Sequence, residues 1–162
     1  MKRILVREAL CSGCRACEVA CVAWHEGGFG TATARIRVTK LDHLGVDRPH
    51  VCRLCQSAPC VTACPTGALH RSKFPGIEVV LVRLDECIGC SACVDACPFG
   101  VATLHPATGL ALICDLCGGD PACVQRCATG ALVYDDAEAG PRAKREAEAI
   151  AAWEAPTEER GL

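Results

Sequence analysis

The amino-acid sequence predicts an α+β fold of short strands and single helical turns, organised around four groups of cysteines and followed by a helical tail. Two observations carry that prediction. All sixteen cysteines fall into four quartets: Cys11, Cys14, Cys17 and Cys21; Cys52, Cys55, Cys60 and Cys64; Cys87, Cys90, Cys93 and Cys97; and Cys114, Cys117, Cys123 and Cys127. Strand-like stretches separate them, so quartet and strand recur along the chain as an internal repeat. Aromatic residues make up only 4% of the 162 positions. A core this thin needs metals or disulfides to hold a small domain together.

The elements follow in order. "RILV" (3–6) reads as a first strand, and "ACEVAC" in the first quartet suits a single helical turn. Residues 25–51 form a longer connection: "GGFGTA" supplies a turn, and the alternation in "ARIRVTKL" (34–41) suggests an exposed strand. "CVTAC", "CVDAC" and "CVQRC" suit further single turns. Pro65 and Pro98 end the first two of these, since proline cannot continue a helix. "IEVVLVRL" (77–84), "GLALIC" (109–114) and "ALVYD" (131–135) read as strands. At 162 residues the chain fits one compact domain or two small halves.

Composition changes from Asp135 on. The remainder holds eight acidic and four basic residues, against eleven and thirteen in residues 1–134. The chain thus divides into a cysteine-bearing domain, 1–135, and a tail, 136–162. In the tail, "PRAKREAEAIAAWE" (141–154) opens with a proline suited to a first helical turn and is rich in alanine. A helix of this length is marginal alone in water, so it either packs on its own domain or docks on another subunit or a second copy.

The N-terminus "MKRILVREAL" has only a short apolar run before Arg7 and Glu8, so neither a cleavable signal nor a twin-arginine leader is expected. No apolar run approaches the roughly 20 residues that span a bilayer. These features predict a cytoplasmic protein without a membrane span, where thiols stay reduced and disulfide frameworks are rare. Sixteen reduced thiols in quartets then point to metal.

The first and third quartets read C-x-x-C-x-x-C-x-x-x-C, and Pro98 follows the third. This is the bacterial ferredoxin run, whose first three thiolates hold one [4Fe–4S] cluster while the fourth serves another. Small residues in the two-residue gaps (Ser12 and Gly13, Gly89, Ser91 and Ala92) let the loop wrap a cube with backbone N–H groups facing its sulfurs. The fourth cysteine lies about 6 Å further along a helical turn, aimed at a neighbouring cluster. The second and fourth quartets have wider gaps, which hold Pro59 and Pro121. Structural zinc usually draws two C-x-x-C knuckles from separated hairpins; four ligands within eleven to fourteen residues, four times over, argue for iron–sulfur instead.

The formal charge of −2 excludes a strongly basic nucleic-acid-binding surface. Four clusters with thiolate ligands would bring it to about −10. Arg15, Arg53, Arg83 and Arg126 lie in or beside the quartets, either offsetting this charge or simply solvated. His50, two before Cys52, either hydrogen-bonds near a cluster or sits on a surface loop. Trp24 and Trp153 read as packing residues. The five histidines fit no nucleophile-and-base pattern, and "HEGGFG" lacks the Lys-Ser/Thr of a phosphate loop. The chain reads as a conductor without a catalytic centre.

Quartets in this order, with wider gaps in the second and fourth, resemble the four-cluster ferredoxin-type subunits of complex oxidoreductases. That family includes the iron–sulfur subunits of the dimethyl sulfoxide reductase group, of formate dehydrogenases, of carbon monoxide dehydrogenase–hydrogenase systems and of tungsten aldehyde oxidoreductases. The resemblance covers about residues 1–135. It implies two pseudo-symmetric ferredoxin-like halves, an outer one from the first and fourth quartets and an inner one from the second and third. It also implies four [4Fe–4S] clusters with shared ligation. Cys52, Cys55 and Cys60 would join Cys97, and Cys87, Cys90 and Cys93 would join Cys64. Cys11, Cys14 and Cys17 would join Cys127, and Cys114, Cys117 and Cys123 would join Cys21.

The sequence departs from the family in lacking proline after Cys21 (Val22) and Cys127 (Ala128), and in lacking long insertions and a membrane-anchoring tail. The partners implied are a large molybdenum- or tungsten-pterin subunit, with aldehyde oxidoreductase the first choice, and a ferredoxin or flavin–NAD(P) subunit as acceptor. Carbon monoxide dehydrogenase, hydrogenase or formate dehydrogenase partners, and a stand-alone polyferredoxin, are the alternatives.

Overall fold

The computed structural model describes residues 2–136; the helix expected at 141–154 lies outside the described residues. The first and last strands close the chain on itself. β1 (Lys2–Val6) pairs antiparallel with β8 (Leu132–Asp136), with Ile4 opposite Tyr134 and Val6 opposite Leu132. Ile4 and Leu132 are buried, so apolar burial holds this non-local pairing and draws the first quartet towards the fourth.

α1 (Ala16–Glu26) corrects an expectation. Eleven residues, about three turns, stand where a single turn was predicted. No proline follows Cys21, so the helix runs on to Gly27, whose left-handed φ of +65° and N–H bond to the Ala23 carbonyl stop it. Its first turn carries Glu18, a charged side chain with no exposed surface. That carboxylate accepts from Arg15 Nε at 2.8 Å and from the Val38 N–H at 2.6 Å, the partners a buried charge requires. The second bond ties α1 to the next hairpin.

That hairpin joins β2 (Arg37–Leu41) to β3 (Val46–His50), with Leu41 opposite Val46. The strand predicted at 34–41 begins three residues later, and Ala34 and Ile36, expected at the surface, are buried core residues. No strand was expected at 46–50, where β3 carries Pro49. In a two-stranded ladder each strand is an edge, and an edge tolerates proline.

β4 (Leu69–Phe74) and β5 (Ile77–Val82) form a second hairpin, turned at Pro75 and Gly76. β5 ends two residues short of the expected 84. Its alternation serves two cores. Ile77, Val79 and Leu81 join Ile4, Val22, Ile36, Leu116 and Leu132 in one cluster, which also takes in cysteines of the first and fourth quartets. Val80 and Val82 join Ala68, Leu69, Ala102 and Ile113 in the other, with cysteines of the second and third. The strand expected at 109–114 shrinks to β7 (Ala111–Leu112), paired with β6 (Thr103–Leu104). The single turns expected of the last three quartets are present as α2 (Pro59–Thr62), α3 (Ala92–Asp95) and α4 (Ala122–Gln125). α1 packs on α4, and α2 on α3. Among the described residues, no helix is long and apolar enough to cross a membrane.

Candidate metal centres

Each quartet bends its backbone in the same way. The residue before the second cysteine is left-handed every time: Gly13 at φ +63°, Leu54 at +50°, Gly89 at +65° and Leu116 at +58°. A leucine held there costs about 1–2 kcal/mol, and such strained residues concentrate at functional sites. Alternating handedness turns successive N–H groups into one concavity, a nest suited to an anionic group such as an iron–sulfur centre. Arg15, Ala58 and Ser91 are also left-handed, each just before a helical turn.

Three of the fourth cysteines close a tight turn. The N–H groups of Gly67, Gly100 and Gly130 donate to the carbonyls of Cys64, Cys97 and Cys127 at 3.3, 3.2 and 3.2 Å. Ala128 thus occupies the turn that Pro65 and Pro98 occupy, without needing the ring. Cys21 is the exception, seated inside α1. The two missing prolines have these local explanations, and neither removes a thiol.

The fourth cysteine of each quartet stands beside another quartet's triad. Cys52, Cys55, Cys60 and Cys97 line one small cavity. Cys87, Cys90, Cys93 and Cys64 line a second. Cys11, Cys14, Cys17 and Cys127 line a third. The remaining four are linked by their electrostatics. The Cys123 thiol is pushed up to about 12, mainly by burial and then by Cys21 and Cys117. Cys114 is also pushed well above its ordinary value by burial, with Cys52 and Cys123 adding to it. All sixteen thiols are free.

Burial likewise raises Cys17, Cys52 and Cys117 to about 11. The three turn-closing cysteines go the other way. At Cys97 burial raises the thiol, but the N–H groups of Ala102, Val101, Phe99 and Gly100 outweigh it. At Cys127 burial is overcome by the Leu132 N–H and the Thr129 hydroxyl, and the Leu69 N–H leads the lowering at Cys64. These N–H groups stabilise thiolate at the positions where each site receives its ligand from elsewhere in the chain. Four thiols per site, convergent N–H donors and no carboxylate or imidazole in the three cavities fit a [4Fe–4S] cluster.

The surroundings differ from expectation in detail. His25, not His50, reaches a cysteine: its Nδ1 lies 3.7 Å from Cys21 Sγ and 2.8 Å from the Cys21 carbonyl. Its Nε2 lies 3.0 Å from Asp115 Oδ1. Arg15 and Arg83 are engaged by Glu18 and Glu86 at 2.6 and 3.0 Å, and Arg53 stacks over Phe99 at 5.8 Å. Trp24 is half exposed, edge-on to His25. Arg35 went unnoticed in the sequence, yet its N–H donates to Cys21 Sγ at 3.3 Å. Asp115 could have been found, since it sits between Cys114 and Cys117; nothing local marks Arg35.

A wrapped nest before each second cysteine, with sixteen thiols converging in fours, defines an iron–sulfur protein of ferredoxin type. Comparison with known proteins agrees. Residues 46–137 match the 4Fe-4S dicluster domain family and residues 8–24 a 4Fe-4S binding domain. The chain belongs to the 4Fe-4S dicluster domain family, and it is an iron–sulfur electron-transfer protein rather than a catalytic subunit.

Among its relatives is the polyferredoxin-like subunit of aliphatic sulfonate oxidoreductase from Pyrococcus furiosus. It is 47% identical over 76% of this chain and 70% of that one. The thiosulfate reductase electron transfer subunit PhsB of Salmonella typhi is 40% identical over 78% and 71%. The electron transport protein HydN of Escherichia coli K12 is 36% identical over 84% and 89%. Among solved structures, a chain of the active-site complex BamBC of benzoyl coenzyme A reductase, with benzoyl-CoA, superposes with a TM-score of 0.51. It is 28% identical, over 83% of this chain and 79% of that one.

Proposed function

We propose that this protein holds four [4Fe–4S] clusters and serves as the electron-transfer subunit of an oxidoreductase complex. The ligand sets are Cys11, Cys14, Cys17 and Cys127; Cys114, Cys117, Cys123 and Cys21; Cys52, Cys55, Cys60 and Cys97; and Cys87, Cys90, Cys93 and Cys64. The observation that carries the reading is the placement of each fourth cysteine beside a foreign triad. When bound, such clusters supply one-electron sites whose potentials follow local charge, hydrogen bonds and exposure.

We infer that the sets lie in a row, from the thiols that influence one another across neighbouring sets. Cys17 acts on Cys123, Cys52 on Cys114 and Cys60 on Cys93. That contiguity gives the order first quartet's triad, fourth, second, third. Cys14 and Cys90, in the two end sets, are exposed, whereas Cys117 and Cys123 in between are buried. The ends are therefore the ports at which partners exchange electrons. The two hydrophobic clusters support an outer and an inner ferredoxin-like half within residues 1–135; for 136–162 we propose a docking role from its composition alone.

The catalytic partner we infer is a large molybdenum- or tungsten-pterin oxidoreductase. Aldehyde oxidoreductase is the first choice because the connections between quartets are short. The names of two relatives, a sulfonate oxidoreductase subunit and a thiosulfate reductase subunit, support oxidoreductase complexes in general. A ferredoxin or flavin–NAD(P) subunit takes the electrons at the far port. We infer a cytoplasmic complex, the compartment in which thiols stay reduced. The test is isolation of the native complex, with iron and acid-labile sulfide measured on this chain. About sixteen of each and a copurifying pterin subunit are expected. Stoichiometric zinc without sulfide, or a lone chain that oxidises substrate, refutes the reading.

A further inference from the structure

The set formed by Cys21, Cys114, Cys117 and Cys123 has a mostly buried arginine beside it, whereas Arg15 and Arg53, which line the cavities of two other sets, are exposed. Arg35 lies between Ala34 and Ile36, both buried, which fix its backbone so that its N–H points at Cys21 Sγ. Its side chain is 19% exposed. Two guanidinium nitrogens, Nε and Nη1, are buried with no hydrogen-bond acceptor. Its carboxylate neighbour, Asp115 Oδ2, stands 3.8 Å from Nη1, beyond hydrogen-bond length.

The other oxygen of Asp115 is already committed. It accepts from the Cys117 N–H at 3.0 Å and lies 3.0 Å from His25 Nε2. Arg35 is thus a poorly compensated buried cation. Such donors cost free energy when left without a partner, so a strong anion nearby is the expected complement.

We propose that Arg35 raises the reduction potential of the centre held by Cys21, Cys114, Cys117 and Cys123, making it a site where the electron rests within the row. The proposal relies on the four-cluster reading above. Four thiolates around the oxidised core leave a net negative charge, and taking up one electron adds another. A cation fixed in a low-dielectric surrounding favours the more negative state, and does so more strongly than in water. Arg15 and Arg83, by contrast, are drawn to carboxylates at 2.6 and 3.0 Å, which cancels most of their field. Asp115 carries the opposite charge at the same site and therefore works against Arg35.

The test is a dithionite titration of the cluster-loaded protein, with each one-electron reduction followed by electron paramagnetic resonance. The relevant signal is the one lost in Cys117→Ser. In Arg35→Gln the midpoint of that signal should fall so that reduction is about tenfold less favourable, some 59 mV for a one-electron couple. Arg35→Lys should restore most of the loss, and Asp115→Asn should move the same midpoint upward. Opposite signs at the two positions are what charge produces and loosened packing does not.

An unmoved midpoint in Arg35→Gln with full iron content overturns the proposal, as do shifts of the same sign in Arg35→Gln and Asp115→Asn. Should Arg35→Gln lose the cluster, the Asp115→Asn and Arg35→Lys pair decides alone. A wild-type protein with iron for fewer than four clusters, and no signal sensitive to Cys117, would instead defeat the four-cluster reading.

Discussion

Replacing Gly89 by alanine tests how tightly the loops are fitted. The residue sits at φ +65°, and a Cβ there would stand 2.7 Å from the carbonyl oxygen of Gly109. The obstacle is backbone, so it cannot rotate away. Left-handed backbone costs an alanine about 1–2 kcal/mol, and a forced overlap in packed surroundings adds about 1–3 kcal/mol, giving about 2–5 kcal/mol in all. Gly67→Ala is the control: φ is +70° but nothing lies within 4 Å of the new methyl, so only the conformational cost remains. Gly13→Ala falls between, because its obstacle is the Asp47 carboxylate, a side chain that can shift at the expense of its 3.0 Å bond to Lys40.

The assay is iron and sulfide per chain after anaerobic purification, together with the temperature at which visible absorption bleaches. Gly89→Ala should lose the cluster of Cys87, Cys90, Cys93 and Cys64 first, leaving about three quarters of the iron, and bleach earliest. Gly67→Ala should keep all of it. Equal iron and equal bleaching temperature for these two variants would refute the steric reasoning.

Changing Cys97 to alanine should damage the centre of Cys52, Cys55 and Cys60 more than that of its own quartet, as read from the spectra of single variants. Damage confined to the Cys87, Cys90 and Cys93 centre would reverse the assignment. Cluster loading should strengthen with pH. Burial lifts the Cys17, Cys52 and Cys117 thiols to about 11 and Cys123 to about 12 from 9.0, so the unloaded fold keeps protons that ligation must expel. The same shifts stabilise the unloaded fold below pH 9, and that contribution is lost as pH rises towards 11–12. Reconstitution yield that falls between pH 7 and 9 contradicts this. Removing residues 137–162 should leave iron content unchanged and weaken association with a partner subunit or second copy; unchanged association by gel filtration makes the tail a packing element only.

The sequence by itself determined what is local. Cysteine spacing specified the loops, glycine at positions 13 and 89 marked the left-handed residue before a second cysteine, and Pro65 and Pro98 marked where two helical turns end. Even the long α1 left a legible sign in Gly27, which stops the helix once no proline interrupts it after Cys21. These features were readable because a backbone turn depends on a few adjacent residues.

The resemblance implied which triad each fourth cysteine joins; what only the tertiary structure shows is which thiols stand side by side. Cys21 meets Cys123, and Cys127 meets Cys11, because β1 pairs with β8 across nearly the whole described chain. Tertiary packing likewise turns Ala34 and Ile36 inward, and Arg35 lies beside Cys21, although no nearby residue distinguishes this arginine from Arg37. Side-chain burial and cross-strand register arise from contacts between segments distant in sequence. Spacing along the chain carries no record of them, so the cysteines could be named from the sequence while their neighbours in space depend on the fold.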